Sequence, residues 1–271
     1  VHKFNVYAKN QEGDGQLADV TVNVNDMNDK TPTFTSPSHK KAQEGKTDAI
    51  ILVAPDADAG DVLTYSIEGR DADKFFIDEK TGKVTFKIKP DYELGMREYK
   101  FKAIVKDSGG HSASQYVTIS IENMNDNAPA FASPNKEVTI NENTTKNAIK
   151  LEASDADNDK LTYSINKKDA NKFNLNITTG IVTFKIPPDY EKVKAYAFTA
   201  TVSDGKYTAT QEISIKIKDL NDNKPVFTSP NTIKLDENTT TKAITLVAKD
   251  DDISDKLTYK ISGSDASSFS V

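Results

Sequence analysis

The chain has 271 residues, 36% of them hydrophobic, with 41 acidic against 35 basic side chains and a formal charge of −6. That balance argues against nucleic acid and anionic membrane as partners and favours cations. Cysteine is absent, which excludes disulfide staples, thiolate metal sites and cysteine nucleophiles. No leader-like segment and no run of 18 apolar residues occurs, so membrane contact is expected only through segments outside this sequence.

In chain order, Phe4, Val6 and Ala8 alternate with Asn5 and Tyr7, and Val20, Val22 and Val24 alternate with Thr21 and Asn23. A period of two marks half-buried strands. Residues 1–30 therefore read as the C-terminal part of a truncated repeat. A complete unit follows at 31–128, with strands expected at 38–42, 49–54, 62–67, 75–77, 83–88, 98–106 and 114–121. A second unit at 129–224 repeats the plan at 137–140, 148–153, 161–165, 173–176, 181–186, 196–202 and 210–217. Thr81-Gly82 and Thr179-Gly180 are turn signals at matching places. Residues 225–271 restart the pattern as the N-terminal part of a further repeat, with 256–261 matching 160–165. No helical period is sustained over 12 residues. Seven short strands in under 100 residues predict an all-β fold of tandem seven-stranded antiparallel β-sandwiches.

One stretch sets the period. It reads Asp26-Met27-Asn28-Asp29-Lys30-Thr31-Pro32, Asn123-Met124-Asn125-Asp126-Asn127-Ala128-Pro129 and Asp219-Leu220-Asn221-Asp222-Asn223-Lys224-Pro225. Its middle asparagines are 97 and then 96 residues apart (125 − 28 and 221 − 125), the signature of a repeat array. It offers carboxylate, amide and backbone oxygens, and its proline stiffens the exit.

Acidic motifs recur around it. A glutamate follows each linker (Glu44, Glu142, Glu237). An Asp-x-Asp ends the second strand: Asp56 and Asp58, Asp155 and Asp157, Asp250 and Asp252. An Asp-Tyr-Glu follows the fifth: Asp91 and Glu93, Asp189 and Glu191. An aspartate ends the sixth: Asp107 and Asp204. In a sandwich, alternate connections emerge at opposite ends. The early glutamate and the Asp-Tyr-Glu then share one end of a repeat, and the Asp-x-Asp and sixth-strand aspartate share the other. At the central linker this gathers seven carboxylates: Glu44, Asp91, Glu93, Asp126, Asp155, Asp157 and Asp204. They repel one another unless cations bind. Hard oxygen donors without His or Cys point to Ca²⁺ rather than zinc, and about three such ions balance the charge.

A lone Asp-x-Asp is ordinarily a solvated strand end, and a lone Asn-Asp-Asn a turn. Recurrence in one order at one period sets both aside here. Recurrence also argues against a glycosidase-like carboxylate pair, because an enzyme needs one cleft, not a copy in each repeat. His2, His39 and His111 have no repeat equivalents and read as solvated. Asn143-Thr144-Thr145, Asn176-Ile177-Thr178 and Asn238-Thr239-Thr240 match the glycosylation sequon.

The linkers, early glutamates, Asp-x-Asp pairs, Leu-Thr-Tyr segments, Thr-Gly turns and Asp-Tyr-Glu motifs together resemble extracellular cadherin repeats across the whole chain. The Cys-free, Lys- and Asn-rich composition resembles bacterial cadherin-like surface proteins more than vertebrate junction cadherins. The resemblance implies immunoglobulin-like Greek-key sandwiches and a non-catalytic, calcium-binding segment at the cell surface, with up to three ions at each complete junction. At the central junction it implies a calcium pair held by Glu44, Asp91, Glu93, Asp126, Asp157 and the Met124 carbonyl. A third ion falls to Asn125, Asp155, Asp157, Asp204 and the Asn127 carbonyl. The last junction repeats this with Glu142, Asp189, Glu191, Asp222, Asp252 and Leu220, then Asn221, Asp250 and Asn223. The first keeps Asn28, Asp29, Asp56, Asp58 and Asp107. Lys30 and Asn123 depart from the family's linker. With no Trp and no His-Ala-Val, adhesion by tryptophan strand exchange is not implied. The expected role is a calcium-rigidified adhesin or stalk whose partner is another surface protein, a second copy or a glycan. The alternatives are a spacer within a large surface enzyme and a carbohydrate-binding module array.

Overall fold

The computed structural model covers residues 1–271 and describes all of them except Ala59, Thr145, Asn147, Ala148, Thr240, Ile253, Ser254, Asp255 and the side chain of Asp14. Two expected sequons (at Thr145 and Thr240) and the start of one expected strand (Ala148) thus lie outside the described residues. The chain divides into two units, Val1–Met124 and Asn125–Val271.

The first unit opens with β1 (His2–Val6), β2 (Lys9–Asn10), β3 (Gly13–Asp14) and β4 (Ala18–Val22). β1 pairs antiparallel with β4, and β2 with β3. The alternation predicts half-burial, yet Phe4, Val6 and Val22 are exposed. No second sheet packs on this ribbon among the described residues, so its apolar face stays uncovered.

The sandwich that follows contains β5 (His39–Gln43), β6 (Asp48–Ile51), β7 (Thr64–Glu68), β8 (Phe75–Ile77), β9 (Lys83–Phe86), β10 (Glu98–Lys106) and β11 (Ser112–Glu122). One sheet has the order β5-β11-β10-β7 and the other β6-β9-β8. In the second unit, β12 (Ala130–Phe131) pairs with β15 (Ala153–Ser154). The equivalent sandwich there has β13 (Asn135–Asn141), β14 (Ile149–Lys150), β16 (Thr162–Asn166), β17 (Phe173–Leu175), β18 (Ile181–Phe184), β19 (Ala195–Ser203) and β20 (Thr208–Lys218). Its sheets are β13-β20-β19-β16 and β14-β18-β17. A one-turn 3₁₀ helix at Ala72–Lys74 and another at Ala170–Lys172 lead into β8 and β17. The fold is thus all-β as expected, with strand ends within a few residues of those read from the alternation.

One pairing in each sandwich departs from the antiparallel expectation. β5 runs parallel to β11, and β13 runs parallel to β20. Seven strands are an odd number, so the first and last of a repeat run in the same direction. A repeat built this way receives its chain at one end and releases it at the other.

Each core is closed by the inward face of both sheets. Phe75, Phe86, Tyr99 and Phe101 pack ring to ring, with centroids 4.8–5.7 Å apart. Phe173, Phe184, Tyr196 and Phe198 repeat the arrangement. Tyr65 and Tyr163, from the first two Leu-Thr-Tyr segments, are buried, and the Tyr65 hydroxyl accepts the Ala54 N–H at 3.1 Å. The Thr-Gly turns require glycine. Gly82 and Gly180 both have φ +68°, and a Cβ there would meet the Leu52 or Leu151 carbonyl oxygen at 2.4 or 2.6 Å.

From Val226 onward the described residues form β21 (Val226–Phe227), β22 (Ala248–Lys249) and a 3₁₀ turn at Ala266–Ser268. β21 pairs with β22, and the Tyr259 hydroxyl accepts the Ala248 N–H at 3.1 Å. The strand expected at 256–261 is not formed. Its counterpart β16 is held by β19.

Candidate metal centres

Strand direction decides which acids meet. Because β13 and β20 run parallel with Asn141 opposite Lys218, the residues after both strands leave at the same end. Glu142, just beyond β13, is buried. Its Oε1 accepts the Leu220 N–H at 2.8 Å, and its Oε2 accepts the Tyr190 N–H at 2.7 Å. One carboxylate thereby ties the linker and the Asp-Tyr-Glu loop to the sandwich. Glu44 does the same in the first unit, accepting Met124 N–H and Tyr92 N–H at 2.6 Å each.

Two groups of acids meet at the linker end of the second sandwich. Glu142, Glu191 and Asp219 bring ligand oxygens within 4.8 Å of one another, and so do Glu191, Asp222 and Asp252. Glu191 Oε1 is buried and accepts no hydrogen bond. Burial raises the Glu191 carboxyl above its ordinary value, and the charges of Glu142 and Asp219 push it the same way. Asp252 is placed by Asp250, whose Oδ1 accepts the Asp252 N–H at 3.0 Å. Asn223 donates its backbone N–H to Asp252 Oδ2 at 3.0 Å and its side-chain amide to Asp252 Oδ1 at 2.9 Å. Those Asn223 bonds hold the Asp252 carboxyl below its ordinary value. Asp222 accepts the Asn143 side-chain amide. Asp250 Oδ2 is buried and accepts no hydrogen bond, whereas Asn221 lies exposed.

At the opposite end of a sandwich the Asp-x-Asp loop meets the loop after the sixth strand. In the first unit, Asp56, Asp61 and Asp107 bring oxygens within 4.8 Å of one another. Asp56 Oδ1 accepts the Asp58 N–H at 2.9 Å, and Asp58 Oδ2 accepts the Lys30 N–H at 2.8 Å. Asp56 Oδ2, Asp61 Oδ2 and Asn28 Oδ1 are all buried and accept no hydrogen bond. Asp107 receives Gly110 N–H and His111 N–H on Oδ1 at 2.6 and 2.7 Å, and His111 Nδ1 on Oδ2 at 2.9 Å. His111, read as solvated, is therefore part of this loop. Asp29 instead pairs with Lys30 at 2.9 Å on an exposed surface.

In the second unit the corresponding cluster is Asp155, Asp157 and Asp159. Asp157 is buried and accepts Asp126 N–H and Asn127 N–H at 3.0 and 2.8 Å. Asp155 Oδ2, Asp159 Oδ2, Asp204 Oδ2 and Asn125 Oδ1 are buried and accept no hydrogen bond. Burial alone would raise the Asp204 carboxyl, but the Tyr207 and Lys206 N–H groups outweigh it and hold it below the ordinary value.

Glu44, Asp91, Glu93 and Met124 belong to the first unit, and Asn125, Asp126, Asn127, Asp155, Asp157 and Asp204 to the second. Glu44 and Glu93 lie within 4.8 Å of each other through their ligand oxygens. Asp91 and Asp189 join none of the described clusters. Asp91 Oδ1 caps its own turn through Glu93 N–H and Leu94 N–H. Asp189 pairs with Lys192 Nζ at 2.6 Å. The sequence reading omitted Asp61, Asp159 and Asp219. Asp61 and Asp159 each stand four residues before the buried tyrosine, Tyr65 or Tyr163, a recurrence as regular as the motifs that were used.

The described clusters contain only oxygen donors, the chemistry that suits calcium. Buried carboxylate oxygens that accept nothing are costly without a positive partner, so the donor set fits a hard divalent cation.

A cadherin domain profile matches residues 40–122 and 136–218. The chain is similar to mouse (Mus musculus) cadherin EGF LAG seven-pass G-type receptor 2, with 31% identity over 260 residues, 89% of this chain and 9% of that protein. It is also similar to human (Homo sapiens) protocadherin-15, with 31% identity over 243 residues, 83% of this chain and 12% of that protein. It thus spans about a tenth of the length of these curated relatives. Among solved structures it resembles mouse cadherin-23 EC22-24, with a TM-score of 0.56 at 24% identity over 76% of this chain and 70% of that one. The chain belongs to the cadherin domain family, and it is an extracellular, cell-surface segment built from tandem cadherin repeats.

Proposed function

We propose that this segment is a non-catalytic part of a surface adhesin or stalk, stiffened by calcium, in calcium-dependent cell adhesion. The observation that carries the reading is the set of buried oxygens on Asn28, Asp56 and Asp61, beside Asp107, that accept no hydrogen bond. The divisions 1–30, 31–128, 129–224 and 225–271 are the repeats that such ions would join. At the last junction the holding residues are Glu142, Glu191, Asp219, Asp222 and Asp252, with the Leu220 carbonyl, followed by Asn221, Asp250 and Asn223. By the sequence period the same roles fall on Glu44, Glu93, Asp126 and Asp157, with the Met124 carbonyl, and then on Asn125, Asp155, Asp204 and Asn127. Asn28, Asp29, Asp56, Asp58 and Asp107 take these roles at the first junction. Asp91 and Asp189 are kept as candidate ligands that must leave their own turns to bind.

A bound cation supplies the charge that cancels carboxylate repulsion. The chain's own residues do the positioning. Glu44 and Glu142 anchor the linker backbone, and Asn127 and Asn223 hold the Asp-x-Asp carboxylates. The prolines Pro32, Pro129 and Pro225 fix each exit direction. A segment stiffened this way would project a binding surface from the cell, toward another surface protein, a second copy or a glycan.

Calorimetric titration with CaCl₂, paired with melting in chelator, tests the reading. The expected dissociation constants are about 10⁻⁴–10⁻³ M. Calcium at 100 times Kd adds about 2.7 kcal/mol for each site. Absence of binding heat together with an unchanged melting point in chelator would refute it.

A further inference from the structure

The loops that follow the sixth strands differ in one respect that bears on the clusters beside them. Asp107 and Asp204 are held alike. The Asp107 N–H donates to the His111 carbonyl, and the Asp204 N–H donates to the Tyr207 carbonyl. Asp107 Oδ1 accepts Gly110 N–H and His111 N–H; Asp204 Oδ1 accepts Lys206 N–H and Tyr207 N–H. The hydrogen bonds therefore match Gly110 with Lys206, although the first loop is one residue longer. Gly110 has no side chain, and open space surrounds the place where its Cβ would stand. Lys206 places an ammonium group at the equivalent position.

That ammonium is docked. Lys206 Nζ donates to the Asn125 carbonyl at 2.5 Å and stands 4.6 Å from the centre of the Tyr207 ring. The Tyr207 side chain raises its pKa most, and the charges of Asp126 and Asp204 add to the effect. The group is positively charged at neutral pH in any case. It shares its loop with Asp204 and rests on the backbone of Asn125. Asp204 Oδ2 and Asn125 Oδ1 are two of the buried oxygens that accept no hydrogen bond.

We propose that Lys206 is a tethered cation that competes with calcium for the oxygens of Asn125 and Asp204, so that this site binds divalent ions more weakly than the Asn28–Asp56–Asp61–Asp107 site. The proposal rests on the calcium reading above. Its physical basis is charge. A lysine beside a cluster of carboxylates lowers their repulsion when no metal is bound, and it repels an arriving divalent ion. The side chain is exposed, so it can swing into solvent when the ion arrives. Two otherwise similar sites on one chain would then fill at different calcium concentrations.

The test is a calcium titration of the full chain followed by amide NMR. Gly205, Lys206 and Tyr207 report the second site, and Gly110 and His111 serve as the internal control. Lys206→Met keeps the aliphatic stem and removes the charge, and Lys206→Gln guards against a packing effect of the methionine. The expected result is a site at residues 204–207 that binds about twofold to fivefold tighter in both variants, the scale of one solvated charge pair. The Gly110 and His111 response should not move. An unchanged or weaker response at residues 204–207, with calcium still binding at Gly110 and His111, overturns the role of Lys206 and leaves the calcium reading standing. If neither loop responds in wild type or variant, the calcium reading fails and this proposal fails with it.

Discussion

Replacing Glu142 by alanine removes an acceptor that is 2% exposed and holds two backbone N–H groups, those of Tyr190 and Leu220, at 2.7 and 2.8 Å. A hydrogen bond to a charged group contributes about 1.5–3 kcal/mol, and a buried donor left without a partner loses its hydration as well. Against this, removing Glu142 relieves its repulsion with Glu191 and Asp219, which share its cluster. The balance is a loss of about 2–4 kcal/mol to the second sandwich. In a domain of this size that corresponds to a drop of about 10–20 °C in melting temperature. Glu142→Gln keeps one acceptor and should lose about half as much. Melting followed by circular dichroism in excess chelator isolates this role from any bound metal. The first sandwich, where Glu44 is intact, provides the reference transition. A shift below about 3 °C for Glu142→Ala would show that the buried carboxylate does not hold the linker, and the reasoning from its two bonds would be wrong.

Two further outcomes are expected from the same physics. Gly180→Ala forces an L-residue to φ +68° and sets its Cβ 2.6 Å from the Leu151 carbonyl oxygen; it should lower stability by about 2 kcal/mol or more, read by urea denaturation. Glu191 has a native pKa raised first by burial, so the folded metal-free protein holds its proton more tightly than the unfolded chain does. The stability contributed by this group is present below the ordinary glutamate value and is lost as pH rises through the raised native value. In chelator, Glu191→Gln should therefore gain in melting temperature over wild type at pH 7 and not at pH 4. A variant that is less stable than wild type at pH 7 under those conditions would contradict the direction of the shift.

The sequence alone determined the features that depend on short-range pattern. The alternation of apolar residues placed β8 and β10 at their observed limits, and the Thr-Gly turns fell where only a positive φ avoids a collision. The 97- and 96-residue spacing revealed the repeats, and the chemistry of the recurring acids pointed to a hard cation. Tertiary structure decided which acids meet, because convergence depends on strand direction and register, not on local spacing. Parallel pairing of the first and last strands brings the linker to the early glutamate, so Glu142 serves as a backbone anchor as well as a candidate ligand. The meeting of loops draws in Asp61, Asp159 and Asp219, while turn capping and Lys192 hold Asp91 and Asp189 apart from the clusters. Loop contact likewise places His111 on Asp107 and Lys206 on the Asn125 carbonyl. Those placements come from groups far apart in the chain, and no periodicity along the sequence encodes them.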